Sequence, residues 1–225
     1  MKEFLADFLT TQQSQPPTIT AGWYALILLM IAILVWLTYR YHRYAIYVGI
    51  FKWLQIGQLL LLYSWYLIYQ IPLSVSLPLY HCRLAMIGLI ILPDKLSLKH
   101  YLALMGFGGA LFALGYPVMD PYTFPHITGL SFIVGHFALL VNSLLYLFNH
   151  FEERRLSLFK ILTYTFLLDL FLLWINHVTG GNYGIMRFTP IINSRDVWVN
   201  YWVVSLVLSL ALVLIEIIFR SYKKP

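Results

Sequence analysis

Long, uninterrupted apolar runs constrain this chain more than any other feature. Seven can be read, at 22–39, 51–69, 77–92, 101–116, 128–148, 159–177 and 198–219. A helix of about 20 apolar residues spans the roughly 30 Å hydrocarbon core of a bilayer. Lipid offers the backbone no hydrogen bonds, so only helices and closed barrels cross it. Barrel strands alternate apolar and polar residues; these runs do not. The expected fold is therefore all-α: a polytopic membrane protein with a bundle of about seven transmembrane helices. The third and fourth runs are short and interrupted by glycine or flanked by proline, but their connecting loops argue for full spans.

Charge supports this reading. Only 11% of residues are charged, against about 25% in soluble domains. Arg40, Arg43 and Lys52, then Lys95 and Lys99, then Arg154, Arg155 and Lys160, and finally Arg220, Lys223 and Lys224 fall on alternate connections. Cytoplasmic loops carry the excess of Lys and Arg. This predicts an outside N-terminus, a cytoplasmic C-terminus and residence in the cell membrane. The net charge of +6 then reflects orientation and anionic headgroups, and no nucleic-acid partner is expected. The chain divides into an interfacial segment and linker (1–21), a transmembrane domain (22–220) and a basic tail (221–225). No charged segment leads directly into an apolar core, so no cleavable signal peptide is expected.

Polar groups at membrane depth are costly, which makes each one a candidate functional residue. Tyr80, His81, Cys82 and Arg83 open the third run on its outer side. His126 precedes the fifth run, and His136 lies about two turns inside it. Asn176 and His177 end the sixth, ahead of Gly180, Gly181, Asn182 and Tyr183. Asp169 sits near the middle of the sixth run, as either a paired structural carboxyl or part of a proton or ion relay. Gln55 and Gln58 are expected to bond neighbouring helices. Gly106, Gly108 and Gly109 allow close approach of a neighbouring helix.

Cys82 is the only cysteine, so neither an intrachain disulfide nor a Cys-based metal site can form. Histidine spacing matches no helical ligand pair, and no metal is expected. A thiol near pKa 8.5 is mostly protonated at neutral pH. A nearby imidazole and the positive end of a helix would both favour thiolate. Cys82 and His136 therefore satisfy the requirement for a nucleophile with a base. The residues alone leave a second account open, in which Cys82 is a small hydrophobe and His136 a bond between helices. No phosphate-binding loop, dinucleotide fingerprint or hydrolase elbow is present, and no cofactor is expected.

Four segments carry a resemblance. They are Leu77-Pro78-Leu79-Tyr80-His81-Cys82; Gly108-Gly109-Ala110-Leu111 with Pro117; Phe124-Pro125-His126 with His136; and Thr179-Gly180-Gly181-Asn182-Tyr183 with Pro190. In this order they resemble the YwaF family of integral membrane proteins, which includes the mammalian transmembrane protein 164. The resemblance implies a CoA-independent acyltransferase that moves acyl chains from a phospholipid to a lysophospholipid through a cysteine thioester. It places the catalytic pair on Cys82 and His136. The sequence departs from the family at Tyr80, where relatives carry histidine. His81 is the next residue, about 100° further round a helix, and cannot simply replace it. Arg83 also stands where some relatives carry an acidic residue.

The expected function is thus a membrane-embedded phospholipid:lysophospholipid transacylase with its site toward the outer leaflet. Tyr80, His81, Arg83, His126, Asn176, Asn182 and Tyr183 are candidate substrate contacts. A transporter, for which Asp169, Gln55 and Gln58 speak, and a noncatalytic scaffold are the alternatives.

Overall fold

A computed structural model describes residues 2–189 and 192–222; Pro190 and most of the basic tail, including Lys223 and Lys224, lie outside them. Nine α-helices follow in order among these residues: α1 (Lys2–Phe8), α2 (Ala21–Tyr41), α3 (Ala45–Ile68), α4 (Leu73–Ser76), α5 (His81–Ile91), α6 (Ser97–Gly115), α7 (Ile127–Arg154), α8 (Leu158–Thr179) and α9 (Val197–Tyr222). A single 3₁₀ turn covers Tyr183–Ile185.

The ends of several helices are written locally. Thr20 caps α2 by accepting from Trp23 N–H, and Ser157 caps α8 by accepting from Lys160 N–H. Such caps satisfy amides that the first turn leaves unpaired. Gly180 ends α8 with φ of 74°, a left-handed conformation that glycine adopts without steric cost.

Six helices, α2, α3, α6, α7, α8 and α9, are long and apolar enough to cross a membrane. The third apolar run differs from expectation. Its helix, α5, has 11 residues, about 16 Å at 1.5 Å per residue. Pro78 cannot sit in a helix interior without losing a backbone bond, and Leu77 and Tyr80 are extended. The run is thus an interrupted unit: short α4, an extended linker, then α5. It still connects the two ends of the bundle. Arg83, in the first turn of α5, reaches Tyr66 near the end of α3. Leu89, Ile90 and Asp94 share a cleft with Val48 and Lys52 near the start of α3. The two helices run antiparallel, and α5 begins inset from the bundle end.

α7 is the central helix, packed against α2, α3, α5 and α6. Ala138, Leu139, Leu140 and Val141 are consecutive and wholly buried, as in a helix apolar all round. Between helices in lipid, small residues permit the close contacts that hold a bundle. The glycines of α6 do this toward three neighbours. A Cβ on Gly106 would lie 2.4 Å from Ser143 Oγ of α7, and one on Gly108 would lie 2.9 Å from Ile215 Cδ1 of α9. One on Gly109 would lie 2.9 Å from Cys82 Sγ of α5. Large side chains such as Trp36, Leu67, Phe159 and Trp202 stay exposed on outer faces, which suits a lipid surround.

At the end where the lysines and arginines gather, buried Glu216 of α9 fastens three segments. It accepts from His100 Nε2 of α6 at 3.1 Å, from Leu156 N–H at 3.1 Å and from Arg220 Nε at 3.2 Å. Arg220 also donates to Leu156 O.

Candidate functional site

The opposite end is built around the start of α5. The extended linker that feeds it is pinned by the α8–α9 loop. Tyr183, fully buried, accepts from Leu77 N–H at 2.9 Å and donates its hydroxyl proton to Leu73 O at 2.6 Å. Asn176 holds Tyr183 in turn: its Nδ2 donates to Tyr183 O at 2.8 Å and its Oδ1 accepts from Tyr183 N–H at 2.7 Å. Asn182 Oδ1 accepts from Arg187 and Phe188 N–H, closing the loop. A Cβ on Gly181 would meet Ser74 O at 2.6 Å, so only glycine allows the loop to lie this close to α4. The polar atoms of Asn176 and Asn182 are thereby engaged within the protein. The sequence marks these residues as substrate contacts; the structure gives each a role in placing the linker.

His126 is similarly engaged. It is the N-cap of α7, with Nδ1 accepting from Thr128 N–H, while Nε2–H donates to Thr10 O at 3.0 Å. Its ring stacks on Tyr122 with centroids 4.0 Å apart and meets Trp65 edge-on. The N-terminal segment is fastened there as a strap, with Trp65 Nε1 also donating to Leu9 O at 2.9 Å. Burial holds the His126 imidazole below its ordinary pKa, partly offset by the Thr10 carbonyl and by Asp120.

Arg83 has an unusual setting for a guanidinium. Its Nη2 donates to Tyr66 OH at 2.8 Å and its Nη1 to Tyr63 OH at 3.5 Å. Its carbon lies 5.1–5.8 Å from the ring centres of Tyr63, Tyr66 and Tyr80. Cation–π contacts stabilise such a charge where water is scarce. Among the described residues no carboxylate pairs with it. Tyr80 therefore serves as a wall of this cage, and packs edge-on against Tyr183 with centroids 4.9 Å apart. The sequence did not identify Tyr63 and Tyr66; their i, i+3 spacing on an apolar helix, with two hydroxyls needing partners, was the available signal.

His81 points elsewhere. Its Nε2–H donates to Asp169 Oδ1 at 2.8 Å, and Ser205 Oγ donates to Asp169 Oδ2 at 2.7 Å. Asp169 is fully buried. Of the two roles left open for it, this geometry is that of the paired structural carboxyl, tying α5 to α8 and α9.

Cys82 and His136 lie on α5 and α7. Cys82 is half-buried with its sulfur against Gly109 of α6. His136, also half-buried, donates Nδ1–H to Phe132 O at 2.7 Å. A carbonyl only accepts, so this bond fixes the tautomer and leaves the Nε2 lone pair available as a base. α5 and α7 meet one turn below Cys82, where Met86 Cε would lie 3.3 Å from a Cβ on Gly135, the neighbour of His136. Cys82 Sγ and His136 share no hydrogen bond in the free chain; catalytic hydrogen bonds are often made only with substrate in place. Among the described residues no group of His, Cys, Asp and Glu suited to a metal occurs.

These features define an all-helical, multi-pass membrane protein with a thiol, an imidazole and an unpaired guanidinium gathered at one end of the bundle. A family model described as the TMEM164 family matches residues 8–219. The match covers nearly the whole chain, and the protein belongs to the TMEM164 family. No curated protein and no solved structure matches the chain.

Proposed function

We propose that this protein is a phospholipid:lysophospholipid transacylase working through a thioester on Cys82. The observation that carries the reading is the pairing of two groups in one turn. A guanidinium without a carboxylate partner stands one residue from the chain's single thiol, at the inset start of α5. A phosphodiester is the anion that a lipid surround would supply to Arg83. Its ester carbonyls would then lie within reach of the neighbouring turn.

The steps balance without a cofactor. His136 Nε2 takes the thiol proton as Cys82 Sγ attacks the donor ester carbonyl. The tetrahedral intermediate expels the lysolipid alkoxide, which takes the proton back from His136, leaving an acyl thioester. An incoming lysolipid hydroxyl then gives its proton to the same nitrogen and attacks the thioester. The thiolate leaves and is reprotonated. Exclusion of water favours transfer over hydrolysis. The orientation proposed with this reading puts the site toward the outer leaflet of the cell membrane and the C-terminus in the cytoplasm.

Transport has less support. Asp169 has partners in His81 and Ser205, and Gln58 bonds Ser131 and Met86. Of the residues that suggested it, only buried Gln55 lacks a partner among the described residues.

The test uses purified protein in liposomes with a phosphatidylcholine donor and a labelled lysophosphatidylethanolamine acceptor. Label should enter the diacyl product without CoA, and a hydroxylamine-labile acyl group should appear on Cys82. Cys82→Ala should abolish both, and His136→Gln should slow transfer at least roughly 100-fold, the lower range for removal of a general base. Undiminished transfer by Cys82→Ala would end the covalent mechanism.

A further inference from the structure

A cleft of about 250 Å³ opens at the end of the bundle opposite Cys82, between α3, α5 and α7 and the start of α6. One wall is apolar, formed by Val48, Leu89 and Leu145. The rim is polar and contains Lys52, Asp94, Lys99 and His150.

The charges of the rim do not cancel. Asp94 is its one acid. Lys99 Nζ contacts Asp94 Oδ1 at 2.8 Å, donates to Leu92 O at 2.8 Å and lies over the Tyr146 ring. His150 Nε2 stands 4.0 Å from the other Asp94 oxygen. Asp94 is held below the usual carboxylate range chiefly by its bond to Lys99, so it stays ionised and neutralises that lysine. Lys52 is exposed and acts on Asp94 only from a distance, with no direct ion pair among the described residues. One positive charge is therefore left over at the mouth of an apolar-walled cleft.

The amides add a second element. Asn142 Nδ2 donates to Phe51 O at 3.0 Å, and Asn149 Nδ2 donates to Leu145 O at 2.9 Å and to His42 O at 3.1 Å. Both amide nitrogens are thus turned to backbone, and neither Oδ1 accepts from a described residue. The cleft offers a cation for a phosphate, acceptors for hydroxyl groups, and an apolar wall continuous with the membrane-facing bundle. A soluble anion would leave that wall wet. A zwitterionic headgroup would need a free carboxylate for its ammonium, and Asp94 is occupied.

We propose that this cleft is a binding site for an anionic phospholipid with a hydroxyl-bearing headgroup, its phosphate on Lys52 and an acyl chain along Val48, Leu89 and Leu145. The site is separate from Cys82 and independent of the transacylase reading. Its occupant bridges α3, α5 and α7 and so steadies the short helix α5.

Thermal unfolding of the purified protein in detergent tests this, with dioctanoyl phosphatidylglycerol, dioctanoyl phosphatidylcholine and inorganic phosphate as separate additions. Phosphatidylglycerol near 100 times its Kd should raise Tm by about 5–11 °C, and the other two should raise it little. Lys52→Gln, on an exposed position, should keep its own Tm and lose the shift. Lys95→Gln, which removes a nearby positive charge outside the cleft, should retain it. Val48→Trp, which fills the cleft, should also lose it. An equal response to phosphatidylcholine, a full response to phosphate alone, or an unchanged shift in Lys52→Gln would each overturn the proposal.

Discussion

At Gly109 a single hydrogen atom separates the Cys82 sulfur from a steric clash. A Cβ there would sit 2.9 Å from Cys82 Sγ, and the neighbouring helices are too closely packed to yield freely. Overpacking of this kind costs about 1–3 kcal/mol. Gly109→Ala should therefore slow alkylation of Cys82 by a maleimide roughly 10-fold or more, the equivalent of about 1.4 kcal/mol, and slow acyl transfer in step. Gly57→Ala is the control, since nothing lies within 4 Å of its Cβ position. Equal alkylation rates in both variants would show that Gly109 does not govern the sulfur. His126 supports a second expectation. Its imidazole must be neutral to accept from Thr128 N–H, and burial lowers its pKa from the ordinary 6.5. The folded strap therefore binds a proton less readily than the unfolded chain. Stability is full above about pH 6.5 and is lost as pH falls through the folded value; Asp120 opposes the loss. Hydrogen exchange of residues 9–20 should quicken between pH 7.5 and 5.5, beyond the intrinsic pH trend. His126→Ala should remove that excess.

At the scale of elements, the start of α5 is held by two independent devices. One is the hydroxyl of Tyr183 on the linker; the other is His81 on Asp169. Removing one partner of a buried hydrogen-bonded pair leaves the other unsatisfied, at a cost of about 1–3 kcal/mol. Asp169→Leu and His81→Phe should each lower Tm. The double variant should be more stable than the sum of the two losses predicts, because neither member of the pair is then left facing a missing partner. Additive losses in a double-mutant cycle would mean that the two residues do not interact in the folded protein. The broken geometry of the third run has the same logic. Pro78 and the extended residues around it leave α5 short, so its first turn lies below the bundle end, where helix dipole, thiol and guanidinium share one depth.

At the scale of the molecule, most of the basic residues gather at one end and the Cys82 site, with Arg83, occupies the other. Lys52, Lys99 and His150 share a single cleft there, and Arg220 sits with Leu156 and Glu216. The proposed orientation places this basic end in the cytoplasm. A fluorescent or phosphatase reporter fused to the C-terminus should read as cytoplasmic. The opposite result would move the Cys82 site to the inner leaflet.

Helical class, six long spans and the polar groups at depth were legible in the linear chain, because each follows from local chemistry. A run of apolar residues declares its solvent, and a lone polar group at depth declares a need for a partner. Asp169 showed that need in the sequence, but its partner His81 lies 88 positions away. Asn176, Asn182 and Tyr183 looked like lipid contacts for the same reason: sequence reveals a polar group without revealing which backbone atom satisfies it. The short α5 was foreshadowed by Pro78, yet its inset position depended on the loop that pins it. Only packing decided which of the neighbours of Cys82 confronts the sulfur, which tyrosines cage Arg83 and which histidine keeps a free nitrogen. Hydrogen bonds and close contacts act over about 3 Å, and the chain has to fold before residues so far apart in sequence come that near.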